Sequence, residues 1–123
     1  MTWRLVPVKE APPARYEHSA VIARRRGQRV MIVIFGAAAD SLLHDMWSLD
    51  LGIVNERCID ILTETFEWTR LESRGSIPCA RTLHTATLTS VNGRDRIHIF
   101  GGGSSGDIPI DDDTVYCLDL GTR

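Results

Sequence analysis

Four groups of residues have types and spacings that could carry chemistry. Gly101-x-Gly103-x-x-Gly106 matches the glycine pattern of a dinucleotide-binding turn. Such a turn must open into a helix, whose N-terminus holds the pyrophosphate. Here Ile108-Pro109-Ile110 and the acids Asp111, Asp112 and Asp113 follow instead, and the acids would repel a phosphate. Nucleotide binding is rejected. Asp40-x-x-x-His44 could supply two metal ligands, but a third at the same spacing falls on Gly36, which has no side chain. Asp107 with Asp111–Asp113 lacks the ligand spacing of a calcium loop and reads as a solvated acidic loop. Cys58, Cys79 and Cys117 are odd in number and without metal-ligand spacing, as expected of reduced thiols. No Ser-His-Asp or Cys-His pairing is suggested by spacing. The expectation is therefore no catalytic residue, no metal and no cofactor.

The elements that would have to position any site are repeated. An apolar, β-branched run over residues 30–35 ends at Gly36, and residues 97–100 run into Gly101-Gly102-Gly103. Continuous apolar runs of this length mark strands covered on both faces. Ala14-Arg15 and His18-Ser19-Ala20 precede the first run, and Ala80-Arg81 and His84-Thr85-Ala86 precede the second. Downstream, Trp47-Ser48-Leu49-Asp50-Leu51 is echoed by Tyr116-Cys117-Leu118-Asp119-Leu120. Trp3 and Trp68 recur 65 residues apart, His18 and His84 66, Phe35 and Phe100 65, and Asp50 and Asp119 69. The drift is assigned to a longer glycine loop in the second copy. Asn92-Gly93 signals a hairpin turn, while Arg24-Arg25-Arg26-Gly27-Gln28-Arg29 reads as a polar turn, a solvated hairpin tip. Four short strands per repeat with no room for helices predict an all-β array.

Composition narrows the function classes. The 123 residues, 43% hydrophobic and 24% charged, suit a packed soluble domain. A net charge of −2 supplies no field for nucleic acid or an anionic membrane. Of the fourteen basic residues only Lys9 is a lysine. No apolar run is long enough to span a bilayer or serve as a signal peptide, so a cytoplasmic location is expected.

The repeated elements resemble the kelch repeat, the four-stranded blade of one class of β-propeller. The resemblance rests on Trp3, Arg15, His18, Gly36, Trp47 and Asp50 in the first copy. In the second it rests on Trp68, Arg81, His84, Gly101, Gly102, Tyr116 and Asp119. It implies two four-stranded antiparallel blades: residues 1–52 and 66–123, with 53–67 as an inserted irregular connection. The diglycine aligns with Gly36-Ala37 in the first copy, and Thr114 stands where Asp45 does. Arg15, Arg81, Asp50 and Asp119 are expected in paired, largely buried structural roles, because an unpaired buried charge costs several kcal/mol. Trp3, Trp68, Trp47 and Tyr116 are expected to supply packing area between blades.

Two blades do not close a ring, so the chain reads as a partial propeller or as part of a ring closed by oligomerisation. Three chains would make six blades, and exposed blade faces would favour self-association. Each copy starts on its last strand, an offset that lets termini interlock across a blade boundary. The loops after the second strands and before the first strands should open on one face. That face would carry Asp40, Ser41, His44, Ser104, Ser105 and Asp107, with Arg74 nearby, and suit a polar or basic peptide segment. The resemblance implies a non-enzymatic protein–protein interaction module binding another protein or peptide. The alternative is a fragment of a kelch-like enzyme (a metal-dependent oxidase, specifier protein or sugar epimerase) whose site needs further blades.

Overall fold

The computed structural model describes residues 1–53, 66–105 and 108–122. Among them there is no helix, and the architecture is two antiparallel sheets packed face to face. The first is ordered β1 (Ser19–Arg25), β2 (Gln28–Ile34), β3 (Met46–Ile53) and β4 (Trp68–Leu71). The second contains β5 (Thr85–Val91), β6 (Arg94–Phe100) and β9 (Tyr116–Thr122). A two-stranded flap, β7 (Gly103–Ser105) with β8 (Ile108–Pro109), lies between β6 and β9 in sequence. Cys58, and residues 54–65 of the insertion expected over 53–67, lie outside the described residues, while Ile53 ends β3.

The hairpins follow directly from the turn residues. Arg26-Gly27 and Asn92-Gly93 both have positive φ at each position (50° and 77°, 51° and 74°). This is the mirror-image turn whose twist matches two antiparallel strands. The turns fix register, so that Ser19 faces Ile34 in the first blade and Thr85 faces Phe100 in the second. β4 closes the first blade on the outer edge of β3, with Leu49 opposite Trp68 and Met46 opposite Leu71. The strand that opens the second sequence copy thus ends the first blade, as the offset start implies.

The core sits between the blades. Ile32, Ile34 and Ile97 are fully buried, and Val30, Met46 and Ile99 are buried beside them. Tyr116, Leu118 and Leu120 of β9 close the side of this layer. Each fully buried isoleucine stabilises the fold by roughly 1.5–3 kcal/mol, so this one interface holds much of the structure. Polar bonds stitch its rim: Ser19 Oγ to His84 Nε2 at 2.6 Å, the Arg24 amide to Asp95 at 2.8 Å, and the Leu83 amide to the Glu17 carbonyl at 3.0 Å.

The two outward faces differ. That of the first blade is apolar, with Ala20, Ile22 and Met31 beside Val33, Trp47 and Leu49. On the second blade the positions matching the buried layer are Thr85, Thr87, Thr89, Arg96 and His98, ending in Phe100. The expectation of an apolar face on each blade holds for the first and is corrected for the second.

Candidate functional site

The loops that could meet a partner are held by one clamp, built twice. In the first blade Arg15 Nη1 donates to the Phe35 carbonyl at 3.0 Å and to Asp45 Oδ1 at 2.9 Å. Trp47 Nε1 donates to the other Asp45 oxygen at 2.6 Å. In the second, Arg81 Nη1 donates to the Gly101 carbonyl at 2.9 Å and Nη2 to Asp112 Oδ2 at 2.8 Å. Tyr116 Oη donates to that same oxygen at 3.1 Å. Each clamp ties the loop before a first strand to the end of a second strand and the start of a third.

The charge states follow from this wiring. Burial raises the Asp45 pKa, but hydrogen bonds from Arg15 and Trp47 outweigh it and hold the carboxyl below its ordinary range. Asp112 is lowered further, first by the bond from Arg81 and then by the Thr114 side chain and amide. For Arg81, burial opposes the charge, yet its bond to Asp112 and the contact with Cys79 raise the pKa above the usual value. All three stay ionised near neutral pH. They therefore serve as fixed struts, not as proton carriers.

The clamps correct two points of the sequence reading. Arg15 Nη1 bonds the Phe35 carbonyl where Arg81 Nη1 bonds that of Gly101, so Phe35-Gly36, not Gly36-Ala37, is the counterpart of Gly101-Gly102. Phe35 accordingly has φ +52° against +71° at Gly101, a conformation in which glycine is at ease and a bulky residue is not. A Cβ on Gly36 would lie 2.8 Å from the Tyr16 carbonyl, and one on Gly102 2.5 Å from the Thr82 carbonyl. These glycines allow the first-strand approach to cross beneath. The second correction concerns acids. Asp50 and Asp119 are not the arginines' partners: each accepts the backbone amide two residues on, Gly52 and Gly121. Asp119 also takes Arg96 at 3.3 Å, with its side chain 40% exposed.

Above the clamps the loops form a bridged rim. Tyr16 pairs with Ala37, Ala37 with Leu42, and Thr82 with Gly103, each as an isolated antiparallel bridge. The loops before the first strands and after the second strands therefore do share one face. Between the blades this rim encloses an open groove of about 320 Å³, lined by Tyr16, Glu17, residues 37–42, Thr82 and Ser104. Ala37, Ala38 and Ala39 contribute only small side chains to its lining, and Tyr16, also in the lining, stands 54% exposed.

The structure brings Asp40, Ser41 and Ser104 together in this groove, with Ser41 Oγ donating to Asp40 at 3.3 Å. His44 lies apart: its Nε2 is 2.6 Å from the Pro78 carbonyl across the blade boundary, and its ring packs against Phe35. Arg74 lines a different groove, with Met46, Tyr116 and Leu118. Ser105 belongs to β7, paired with Ile108, and Asp107 lies outside the described residues. Tyr16 ends the loop over residues 10–16 that was expected on this face, whereas Glu17 was missed as a groove residue. Its signal was the place one residue before the repeated histidine, where Leu83 stands in the second copy, and the two share φ near +55°. Of the other repeat positions, His84 is buried between blades while His18 is exposed, and Trp68 is half-buried while Trp3 is fully exposed.

The sequence matches the KLHDC2/KLHL20/DRC7 Kelch-repeats domain over residues 1–123. The chain belongs to the kelch-repeat family. Human Rab9 effector protein with kelch motifs is 31% identical over 121 residues, covering 98% of this chain and 28% of that protein. Human host cell factor 2 is 31% identical over 100 residues, 79% of this chain and 11% of the relative. Rat host cell factor 1 is 29% identical over 92 residues, 74% and 4%. The chain thus spans less than a third of the length of these kelch relatives. The two sheets are kelch-type blades of a partial propeller, and the repeated clamp is what the Arg, Asp and aromatic positions of the two repeats build.

Proposed function

We propose that this chain is a non-enzymatic interaction module whose bridged rim receives a peptide segment of another protein. The carrying observation is the groove at the rim, whose lining combines three alanines, an exposed tyrosine and the acids Glu17 and Asp40. Loops locked by bridges and by buried ion pairs lose little entropy on binding, which favours affinity for an extended segment. Tyr16 offers stacking area with a polar tip, and Glu17 and Asp40 favour a segment carrying Lys or Arg. The family supports the reading, since kelch repeats generally serve protein–protein contact, and one relative is named as an effector of Rab9. Free, exposed Cys79 and Cys117 suit a reducing, cytoplasmic setting.

The test is a peptide array of basic, neutral and acidic extended segments probed with the intact chain. Basic segments should be preferred, and Tyr16→Ala or Asp40→Arg should each weaken the best binder about tenfold, as expected for loss of one aromatic or charged contact. Denaturant midpoints should not move. Binding indifferent to Tyr16, Asp40, Ser41 and Ser104 would place the partner surface elsewhere.

A further inference from the structure

The strand ends opposite the rim carry the other sign of charge. β1 and β5 leave the rim and reach their turns after seven residues each, about 20 Å away. The first turn sets Arg25 and the exposed Arg26 at that end, with Arg24 directly opposite Arg29 across the hairpin. In sequence this run stands alone, as a solvated tip would. The fold gives it neighbours. The Arg24 amide donates to Asp95 at 2.8 Å, which sets the Asn92-Gly93 turn beside the first and brings Arg94 and Arg96 to the same end.

Both tips are open. A Cβ added to Gly27 or Gly93 would meet nothing within 4 Å. The turns point along their strands, whereas blades stack across their faces, so neighbouring blades leave the tips accessible.

The balance of charge at the tips is positive. Among the described residues, the side chains of Arg25, Arg26 and Arg29 make no hydrogen bond or ion pair. Arg94 and Arg96 share one carboxylate, Asp119, at 3.8 and 3.3 Å. Asp95 is 1% exposed and turned inward, onto the Arg24 amide and the Ser90 hydroxyl. The cations are all arginine, whose planar fork takes a carboxylate by two parallel bonds. Asp50 and Asp119 also lie near this end, at matched places opposite Val30 and Arg96. A polymer with a phosphate at every step would run against them, whereas spaced carboxylates can seat on the arginines and avoid them.

We infer that the paired hairpin tips form a second docking surface, which takes an Asp/Glu-rich segment of another protein. It lies at the opposite end of the blades from the groove and stands independently of what the groove binds. Charge complementarity of this kind sets partner choice and the rate of encounter.

The test uses the intact chain with three fluorescent probes: a synthetic Glu-rich peptide, its counterpart with Gln for Glu, and a single-stranded oligouridine of equal length. The Glu-rich peptide alone should bind, and more weakly as salt is raised. Arg25→Glu combined with Arg26→Glu should weaken it about tenfold or more, and Arg94→Glu about threefold. Arg25→Lys with Arg26→Lys keeps the charge and loses the fork, and should weaken it about threefold. Melting temperatures should stay at the native value in all of them. Tyr16→Ala should leave this binding unchanged, and the paired Glu substitutions should leave binding of a basic peptide at the rim unchanged, so that either surface can fail without the other. No binding of the Glu-rich peptide, binding indifferent to the tip arginines, or oligouridine bound as tightly as the peptide overturns the inference.

Discussion

The two clamps perform one task with different sequence. In the first blade the acid lies two residues before its aromatic, as Asp45 before Trp47; in the second it lies four before, as Asp112 before Tyr116. The residue aligned with Asp45 is Thr114, whose amide bonds Asp112 Oδ1 at 3.0 Å and so fixes the replacement acid. What recurs is the place of a carboxylate, below an arginine and beside an aromatic donor. Its position in the sequence is free to move when the intervening loop is three residues longer. The buried partner is what leaves no freedom: Arg81 has 0% and Arg15 5% side-chain exposure.

Removing the buried arginines should produce the largest effect and test whether the clamps are equal. Arg81→Ala deletes the largest fully buried side chain and its bonds to the Cys79 and Gly101 carbonyls and to Asp112. A loss of about 3–5 kcal/mol in urea unfolding is expected. Arg15→Ala should cost about 1 kcal/mol less, its clamp being nearer the surface. The comparison is sharpened at the acids. Asp112→Ala should lower the melting temperature far more than Thr114→Ala, and adding Thr114→Asp to Asp112→Ala should not restore it. Restoration would mean that sequence position, not geometry, decides the clamp.

Phe35 and Gly101 form the second contrast. Phe35 is 1% exposed and packs against the rings of His44 (5.3 Å) and His84 (5.7 Å), yet it sits at φ +52°. Its ring fills the blade boundary at the expense of backbone strain, while Gly101 avoids the strain and fills nothing. Phe35→Ala should therefore cost about 3–4 kcal/mol, losing the ring and keeping the strain. Phe35→Gly should be less harmful by about 1 kcal/mol, reversing the usual order of alanine and glycine. If alanine proves the milder change, the left-handed conformation carries no strain and the contrast fails.

Much of the fold was legible because its causes are local. The Asn92-Gly93 turn, the glycine-terminated apolar runs and the recurrence of His18-Ser19 at His84-Thr85 each act over a few residues, and together they specify blades. What was not legible depends on contacts across the chain. Residue identity misleads here: it pairs Phe35 with Phe100, whereas carbonyl contacts pair Phe35 with Gly101. Asp112 looked like one of several solvated acids, since nothing in its neighbours announces Arg81, 31 residues away. The candidate site was legible as a set of loops but not as a list of residues. Asp40, Ser41 and Ser104 share the groove because the bridges bring them there, and His44 leaves it because the Pro78 carbonyl captures its ring.

The smallest contrast is that between the histidines, and pH separates them. His84 is buried with its Nε2 on Ser19 and its Nδ1 without a hydrogen-bond partner among the described residues. Burial, then the nearby Arg81 and His18 charges, lower its pKa to about 4. The unfolded chain takes up this proton near the ordinary histidine value of ~6.5, before the folded chain does. The stability due to neutral His84 is thus complete above about pH 6.5 and is lost as pH falls toward 4, by on the order of 2–3 kcal/mol in all. The lowered carboxyls of Asp45 and Asp112 act in a separate window: their contribution persists above the ordinary aspartate value of ~3.9 and disappears only at lower pH. Urea midpoints measured between pH 7 and 4 should fall in the native chain and flatten in His84→Gln, whereas His18→Gln, which removes only a lesser cause of the shift, should keep most of the slope. A slope that survives His84→Gln would assign the acid sensitivity to another group. Loss of the slope in His18→Gln instead would place the coupling in the exposed repeat, and the blade boundary would lose its distinction from the open face.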